Sequence, residues 1–219
     1  MCGRFTLHTL PDVLQEHFGV DEMPAMQASY NIAPSQEIAT VRMSGARRHM
    51  ALLRWGLVPS WAKELKAGYS MINARAETVA DKPAYRTAFR LRRCLVPADG
   101  FYEWRQTGDG KQPYHIRMKN GGVFAFAGIW ERREGDDGIL ESCSIIVTAA
   151  NDTIRPVHDR MPVIIAPRDY AAWLDPGLRD PGKVKDYLRS WPADEMETYP
   201  VSTRVNRSAN NDARCIESL

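Results

Sequence analysis

The chain begins Met1-Cys2-Gly3-Arg4-Phe5, and Cys2 has the widest chemical reach of any residue in it. Cysteine is small enough for removal of the preceding initiator methionine, and loss of Met1 would create a 1,2-aminothiol. Such a group captures aldehydes. The amine titrates near neutral pH and forms a Schiff base, and the thiol then closes a five-membered thiazolidine. That second step is intramolecular and strongly favoured by proximity. The competing reading of Cys2, taken alone, is a small buried hydrophobe. Only Met1 precedes Cys2 in this sequence, so no longer pro-segment is expected.

Four other segments combine polar chemistry with rigid surroundings. In Met71-Ile72-Asn73-Ala74-Arg75-Ala76-Glu77, an extended backbone would put Asn73, Arg75 and Glu77 on one face. That face offers an amide, a guanidinium for an anion, and a carboxylate to hold the arginine. In Pro97-Ala98-Asp99-Gly100-Phe101-Tyr102-Glu103-Trp104, a glycine-containing turn leads into aromatics around Glu103. Desolvation there raises a carboxyl pKa toward neutrality. Glu103 is therefore either paired with a cation such as Arg75 or Arg105, or kept for proton transfer.

The stretch Asn151 to Pro162 is a polar loop entering an apolar strand, and His158 within it is the best proton shuttle. His8, His17, His49 and His115 lie on amphipathic or exposed-looking segments. In Arg54-Trp55-Gly56-Leu57-Val58-Pro59-Ser60-Trp61-Ala62-Lys63, two tryptophans flank a Gly/Pro stretch. Tryptophan faces stack on unstacked bases, or serve as core anchors. One of each is expected, with Trp61 on a loop as the exposed stacker.

The elements that must carry these residues are mostly strands. Residues 3–8, 37–42, 49–54, 94–97, 113–118, 123–130, 142–148 and 162–166 are short, apolar or alternating, and rich in β-branched or aromatic side chains. Helical patterns cover Pro11 to Phe18, Pro83 to Leu91, Arg168 to Leu174 and Lys183 to Arg189. Helices do not alternate regularly with strands. The expected class is α+β, a mostly antiparallel or mixed sheet forming an open barrel-like core with flanking helices. Asp109-Gly110, Asn120-Gly121-Gly122 and Asp136-Asp137-Gly138 read as hairpin turns. A loop-rich stretch is expected from Asn206 to Asp212.

At 219 residues, 44% hydrophobic and 26% charged, the chain fits one domain spanning 1–219. No run approaches the ~20 apolar residues of a membrane span, and no signal-peptide pattern is present, so a cytoplasmic protein is expected. Cys94, Cys143 and Cys215 are scattered without CxxC or Cys/His spacing, which indicates neither a zinc site nor a disulfide framework. Net charge is only +2, yet 22 of the 29 basic residues are Arg, whose planar fork suits phosphate.

In this order, Cys2-Gly3-Arg4-Phe5, Trp55 to Trp61, Asn73 to Glu77, Ala98 to Trp104 and His158-Asp159-Arg160-Met161-Pro162 resemble the motifs of the SRAP (SOS response-associated peptidase) family. The resemblance runs on to Val201-Ser202-Thr203-Arg204-Val205-Asn206. It departs at Asn210-Asn211-Asp212, where an extra Asn follows that element. What the resemblance implies is the SRAP fold and covalent capture of abasic sites in single-stranded DNA, through a thiazolidine on the N-terminal Cys. It implies Cys2, Asn73, Glu103 and His158 as catalytic residues, and Arg4, Arg75, Arg160 and Trp61 as DNA contacts. Strand cleavage by β-elimination would be a side branch. No metal, cofactor, membrane or obligate protein partner is implied, and a monomer is expected. The rival readings are a cysteine peptidase using Cys2 and His158, and a non-covalent single-strand binder.

Overall fold

The computed structural model describes residues 2–219 apart from 63, 65–67, 69, 109 and 136–137. Thirteen strands dominate among the described residues, in two sheets. The first consists of β1 (Phe5–Leu7), β2 (Ser29–Ile32), β7 (Gly100–Thr107), β8 (Gly110–Met118) and β13 (Met196–Pro200), in the order β13-β8-β7-β1-β2. All its pairings are antiparallel. The N-terminal strand is thus an interior strand.

The second sheet contains β3 (Glu37–Ser44), β4 (Arg47–Trp55), β6 (Arg93–Ala98), β9 (Phe124–Gly135) and β10 (Gly138–Ala149). β10 pairs β4 in parallel, β4 pairs β3, β3 pairs β6, β6 pairs β9, and β9 returns to β10. That circuit closes a five-stranded barrel, which removes its free edges. The expected barrel-like core is present, and its ring of pairings is closed. Three short strands extend it: β5 (Asn73–Arg75) parallel to β10, β11 (Arg160–Pro162) on β10, and β12 (Ile164–Ile165) on β9. The two parallel pairings give the mixed character that the irregular element order suggests.

A continuous core lies between the layers. Phe5 from β1 packs edge-to-face on Trp55 of β4 and on Phe126 of β9, and Phe101 of β7 joins from the first sheet. All four rings are essentially inaccessible. Burial of such rings is the main stabilising contribution here. It also locks the N-terminus against both sheets.

Among the described residues four α-helices flank the sheets: α1 (Pro11–Phe18), α2 (Arg86–Leu91), α3 (Tyr170–Leu174) and α4 (Pro181–Lys185). α1 has Pro at its first turn, buries Leu14 and Phe18, and ends on Gly19 at φ 61°, a left-handed cap that favours glycine. α2 starts three residues later than its pattern suggests, because residues 75–86 close a series of turns. α4 lies earlier than Lys183 to Arg189: Asp180 accepts the Gly182 amide and Pro181 takes the first turn. The expected strand 162–166 is split, β11 serving β10 and β12 serving β9.

Two hairpin expectations lie partly outside the described residues, at Asp109 and at Asp136-Asp137. The flanking pairs Thr107↔Gly110 and Gly135↔Gly138 are in register. Asn120-Gly121-Gly122 is no hairpin. It carries the chain from β8 in one sheet to β9 in the barrel, with Gly121 at φ 67°. β2, β7 and β13 went unread in the sequence.

Candidate active site

Cys2 precedes β1 and is fully buried. Its backbone is set by β7, whose Tyr102 amide donates to the Arg4 carbonyl at 3.0 Å. Its thiol reaches the same carbonyl at 3.8 Å. Burial pushes the thiol well above its ordinary range, and the nearby Glu103 carboxylate adds to the effect. The sulfur is therefore held as a thiol until a proton acceptor acts on it.

Asn73 opens β5, which is registered on Ile145 of β10. Its side-chain amide donates to the Cys2 carbonyl at 2.8 Å. Its Oδ1 is buried and has no hydrogen-bond partner among the described residues. Tyr85, ahead of α2, donates its hydroxyl to the Asn73 carbonyl at 3.2 Å, so the helix braces the strand.

Glu103 sits on β7, 2% exposed. Burial raises its carboxyl to about 7, with Asp159 contributing in the same direction. Among the described residues no ion pair joins it to Arg75 or Arg105. Arg105 instead covers the Tyr114 ring at 4.9 Å. His158 faces Glu103, its Nε2 3.9 Å from the carboxylate.

The His158 ring is oriented from its other side. The Arg160 backbone amide donates to Nδ1 at 2.9 Å, and Asp159 Oδ1 lies 3.0 Å from the same nitrogen. The Arg160 amide calls for a lone pair on Nδ1 and the Asp159 carboxylate for a proton there, so these contacts orient the neutral ring, with Nε2 toward Glu103, without fixing its tautomer. Burial lowers the His158 pKa, which favours that neutral ring. The loop carrying it is pinned by Asn151, which is buried, caps the Ile154 amide and donates to the Trp191 carbonyl at 2.8 Å.

The expected DNA contacts are spread differently. The ion pair of Glu77 is with Arg160, and Arg75 acts on that carboxylate only through its charge, so the expected Glu77–Arg75 pairing is not the contact formed. Arg75 is exposed. Arg4 is half-buried and uses Nη1 on Asn31 Oδ1 and on the Val205 carbonyl, both at 2.8 Å. It ties the N-terminus to the C-terminal segment. Trp55 is a core residue, whereas Trp61 is 69% exposed beyond β4.

A cavity of about 460 Å³ opens over this cluster, lined by Glu103, Trp104, Lys111, His158 and Asn206. Trp104 Nε1 donates to Asn206 Oδ1 at 2.8 Å. Lys111 went unread because only the β7–β8 register brings it to this mouth. Asn31 also went unread: 1% exposed, it donates to the Val205, Arg207 and Asn210 carbonyls and organises the final loop. His115 is buried rather than exposed, with Nδ1 3.0 Å from the Tyr199 hydroxyl. Among the described residues no group of three or more His, Cys, Asp or Glu could hold a metal. No described helix is long and apolar enough to cross a membrane.

A buried N-terminal cysteine, an amide on its carbonyl and a Glu–His pair at a cavity mouth define a site on a β-barrel with an added sheet. The family model for SRAP, SOS response associated peptidase, matches residues 1–208, and the chain belongs to that family. It is 44% identical over 223 residues to the abasic site processing protein YoqW of Bacillus subtilis, covering all of both chains. It is 33% identical to the abasic site processing protein HMCES of Xenopus tropicalis, covering all of this chain and 78% of that one. A crystal structure of a protein from Bacteroides thetaiotaomicron superimposes with a TM-score of 0.90 at 24% identity, over all of both chains, and shares the fold.

Proposed function

We propose that this protein processes abasic sites in single-stranded DNA by covalent capture through Cys2, with residues 1–219 acting as one unit. Its relatives named abasic site processing proteins support the lesion. The observation that carries the chemistry is the Cys2 environment: a carbonyl held by Asn73, and a buried carboxyl raised to about 7 beside the thiol.

After Met1 is removed, the Cys2 amine adds to the C1′ aldehyde of the ring-opened sugar. The carbinolamine loses water to give an imine. The thiol then adds across the C=N bond: sulfur bonds to C1′ and the thiol proton ends on nitrogen. Atoms balance with one water released. Glu103 carries the protons because its pKa lies near the working pH. His158, with Nε2 facing that carboxyl, passes a proton to the sugar oxygen. The unpartnered Asn73 Oδ1 accepts from the Cys2 amine. Arg75, Arg160 and the free edge of Arg4 contact phosphates, and Trp61 stacks on a base near the lesion. Strand cleavage by β-elimination from the imine is a side branch.

The test is incubation with single-stranded DNA bearing one abasic site, followed by denaturing electrophoresis. A heat-resistant shifted band is expected that vanishes for Cys2→Ala and when Met1 is retained. No band from the wild type would sink the proposal. Activity surviving acylation of the Cys2 amine would instead favour a peptidase built on Cys2 and His158.

A further inference from the structure

Away from the Cys2 cluster, three arginines converge on one surface concavity. It encloses about 360 Å³ and draws Arg86 and Arg90 from α2 and Arg179 from the segment before α4. All three are exposed, and no carboxylate pairs with any of them among the described residues. The nearest acids in sequence are committed elsewhere: Asp180 to the Gly182 amide, and Asp81 to Lys185 at 3.7 Å. Arg179 Nε is anchored on the Pro176 carbonyl at 3.1 Å, which leaves its terminal nitrogens to face outward.

Three like charges around one hollow repel one another, and an anion between them removes that cost. The rest of the lining is suited to a nucleotide unit. Thr87 contributes a hydroxyl, a common phosphate donor, and Ala80, Leu91 and Pro181 form an apolar wall suited to a sugar. Lys82, Arg86 and Arg90 fall at i, i+4 and i+8, so the basic stripe runs along one side of the helix and the turn before it.

This stripe is continuous with the segment that carries Asn73 and Arg75. The Thr78 and Val79 amides donate to the Arg75 carbonyl at 3.0 and 2.9 Å, and Tyr85 bonds the Asn73 carbonyl. α2 has six residues, roughly 9 Å of helix, so the hollow lies within a few nucleotides' reach of β5. We propose that the Arg86/Arg90/Arg179 hollow is a second phosphate site that holds the backbone of the strand whose lesion lies at Cys2. It rests on the abasic-site reading, and it adds a remote anchor that takes no part in bond formation.

The test measures binding of an undamaged fluorescent single-stranded 30-mer against salt, for wild type and for Arg86→Gln/Arg90→Gln/Arg179→Gln. Loss of three phosphate contacts should flatten the log–log salt slope by about 2. Crosslinking yield at saturating abasic DNA should be unchanged. An unchanged slope would overturn the proposal. In the unmodified protein, arginine labelling by phenylglyoxal should be blocked at these three residues by the 30-mer. Equal protection by sodium tripolyphosphate at the same phosphate concentration would overturn the strand assignment in favour of a small-anion site. A wild type that never crosslinks would count against covalent capture alone, and the salt slope would still decide the hollow.

Discussion

The side-chain amide of Asn73 donates to the main-chain carbonyl of Cys2 at 2.8 Å across 71 residues of sequence. A strand registered on the barrel thereby fixes the position of a residue that belongs, through β1, to the other sheet. Asn73→Ala removes both this bond and the Oδ1 acceptor while sparing the core. Crosslinking should slow by about 10- to 100-fold, the scale lost when a reacting group is misplaced by about 1 Å. Tm should fall by only a few degrees. An unaltered single-turnover rate would exclude a positioning role for Asn73.

The raised pKa of Glu103 has a sign that stability measurements can read. In the unfolded chain this carboxyl titrates near its ordinary value of about 4.5, and in the native state at about 7. Between those values the native state holds a proton that the unfolded state has released, so stability falls as pH rises through the window. Glu103→Gln removes the effect. The variant should match wild type near pH 4 and be more stable at pH 8, by about 3 kcal/mol. Denaturant melts at both pH values check it, and equal stability at pH 8 would refute it.

The same substitution should cost activity. Glu103→Gln retains affinity for single-stranded DNA but crosslinks more slowly by about 10²- to 10⁴-fold, and its rate loses the inflection near pH 7. A wild-type profile flat from pH 5.5 to 8.5 would remove Glu103 as the proton carrier.

Glu77 and Arg160 form an ion pair, with Glu77 half-exposed. A phosphate must compete with that carboxylate for Arg160. Glu77→Gln should therefore tighten binding of undamaged single-stranded DNA several-fold and steepen its salt slope by about 0.7. Its effect on Tm should be slight, since exposed pairs contribute about 0–1 kcal/mol. Weaker binding would show that Glu77 orients Arg160 rather than restraining it.

The two tryptophans of the Arg54 to Lys63 segment should separate cleanly. Trp55→Ala opens the core beside Phe5 and should cost about 3–5 kcal/mol of stability. Trp61→Ala should leave Tm unchanged and weaken DNA binding by about 1–3 kcal/mol if the indole stacks on a base. Unchanged affinity would remove Trp61 from the interface.

Much of this was legible in the sequence where one segment states its own structure. Pro11 with Gly19 bounds α1, and short apolar or alternating runs mark β3, β4 and β10. Local polarity and family resemblance mark Cys2, Asn73, Glu103 and His158 as candidates, and the fold gathers them. What stayed hidden depends on register. Glu77 pairs with Arg160 because β5 and β11 both lie on β10, a relation no spacing encodes. Lys111 reaches the cavity only through the β7–β8 pairing, and His115 alternates inward on a strand whose ends look polar. Gly100 looks like a turn residue in the sequence, yet it begins β7, where any side chain would strike the His115 ring.

β1 lies between β2 and β7, with Phe5 registered on both Ile32 and Phe101. A strand of DNA joined to Cys2 would be tethered to this inner ribbon. Tension on the polymer would load two hydrogen-bonded ladders in shear, along with the Phe5 ring wedged beneath them. Such an anchorage resists pulling along the chain and gives way only when the fold itself opens, so mechanical unfolding and exposure of the linkage to proteases become one event.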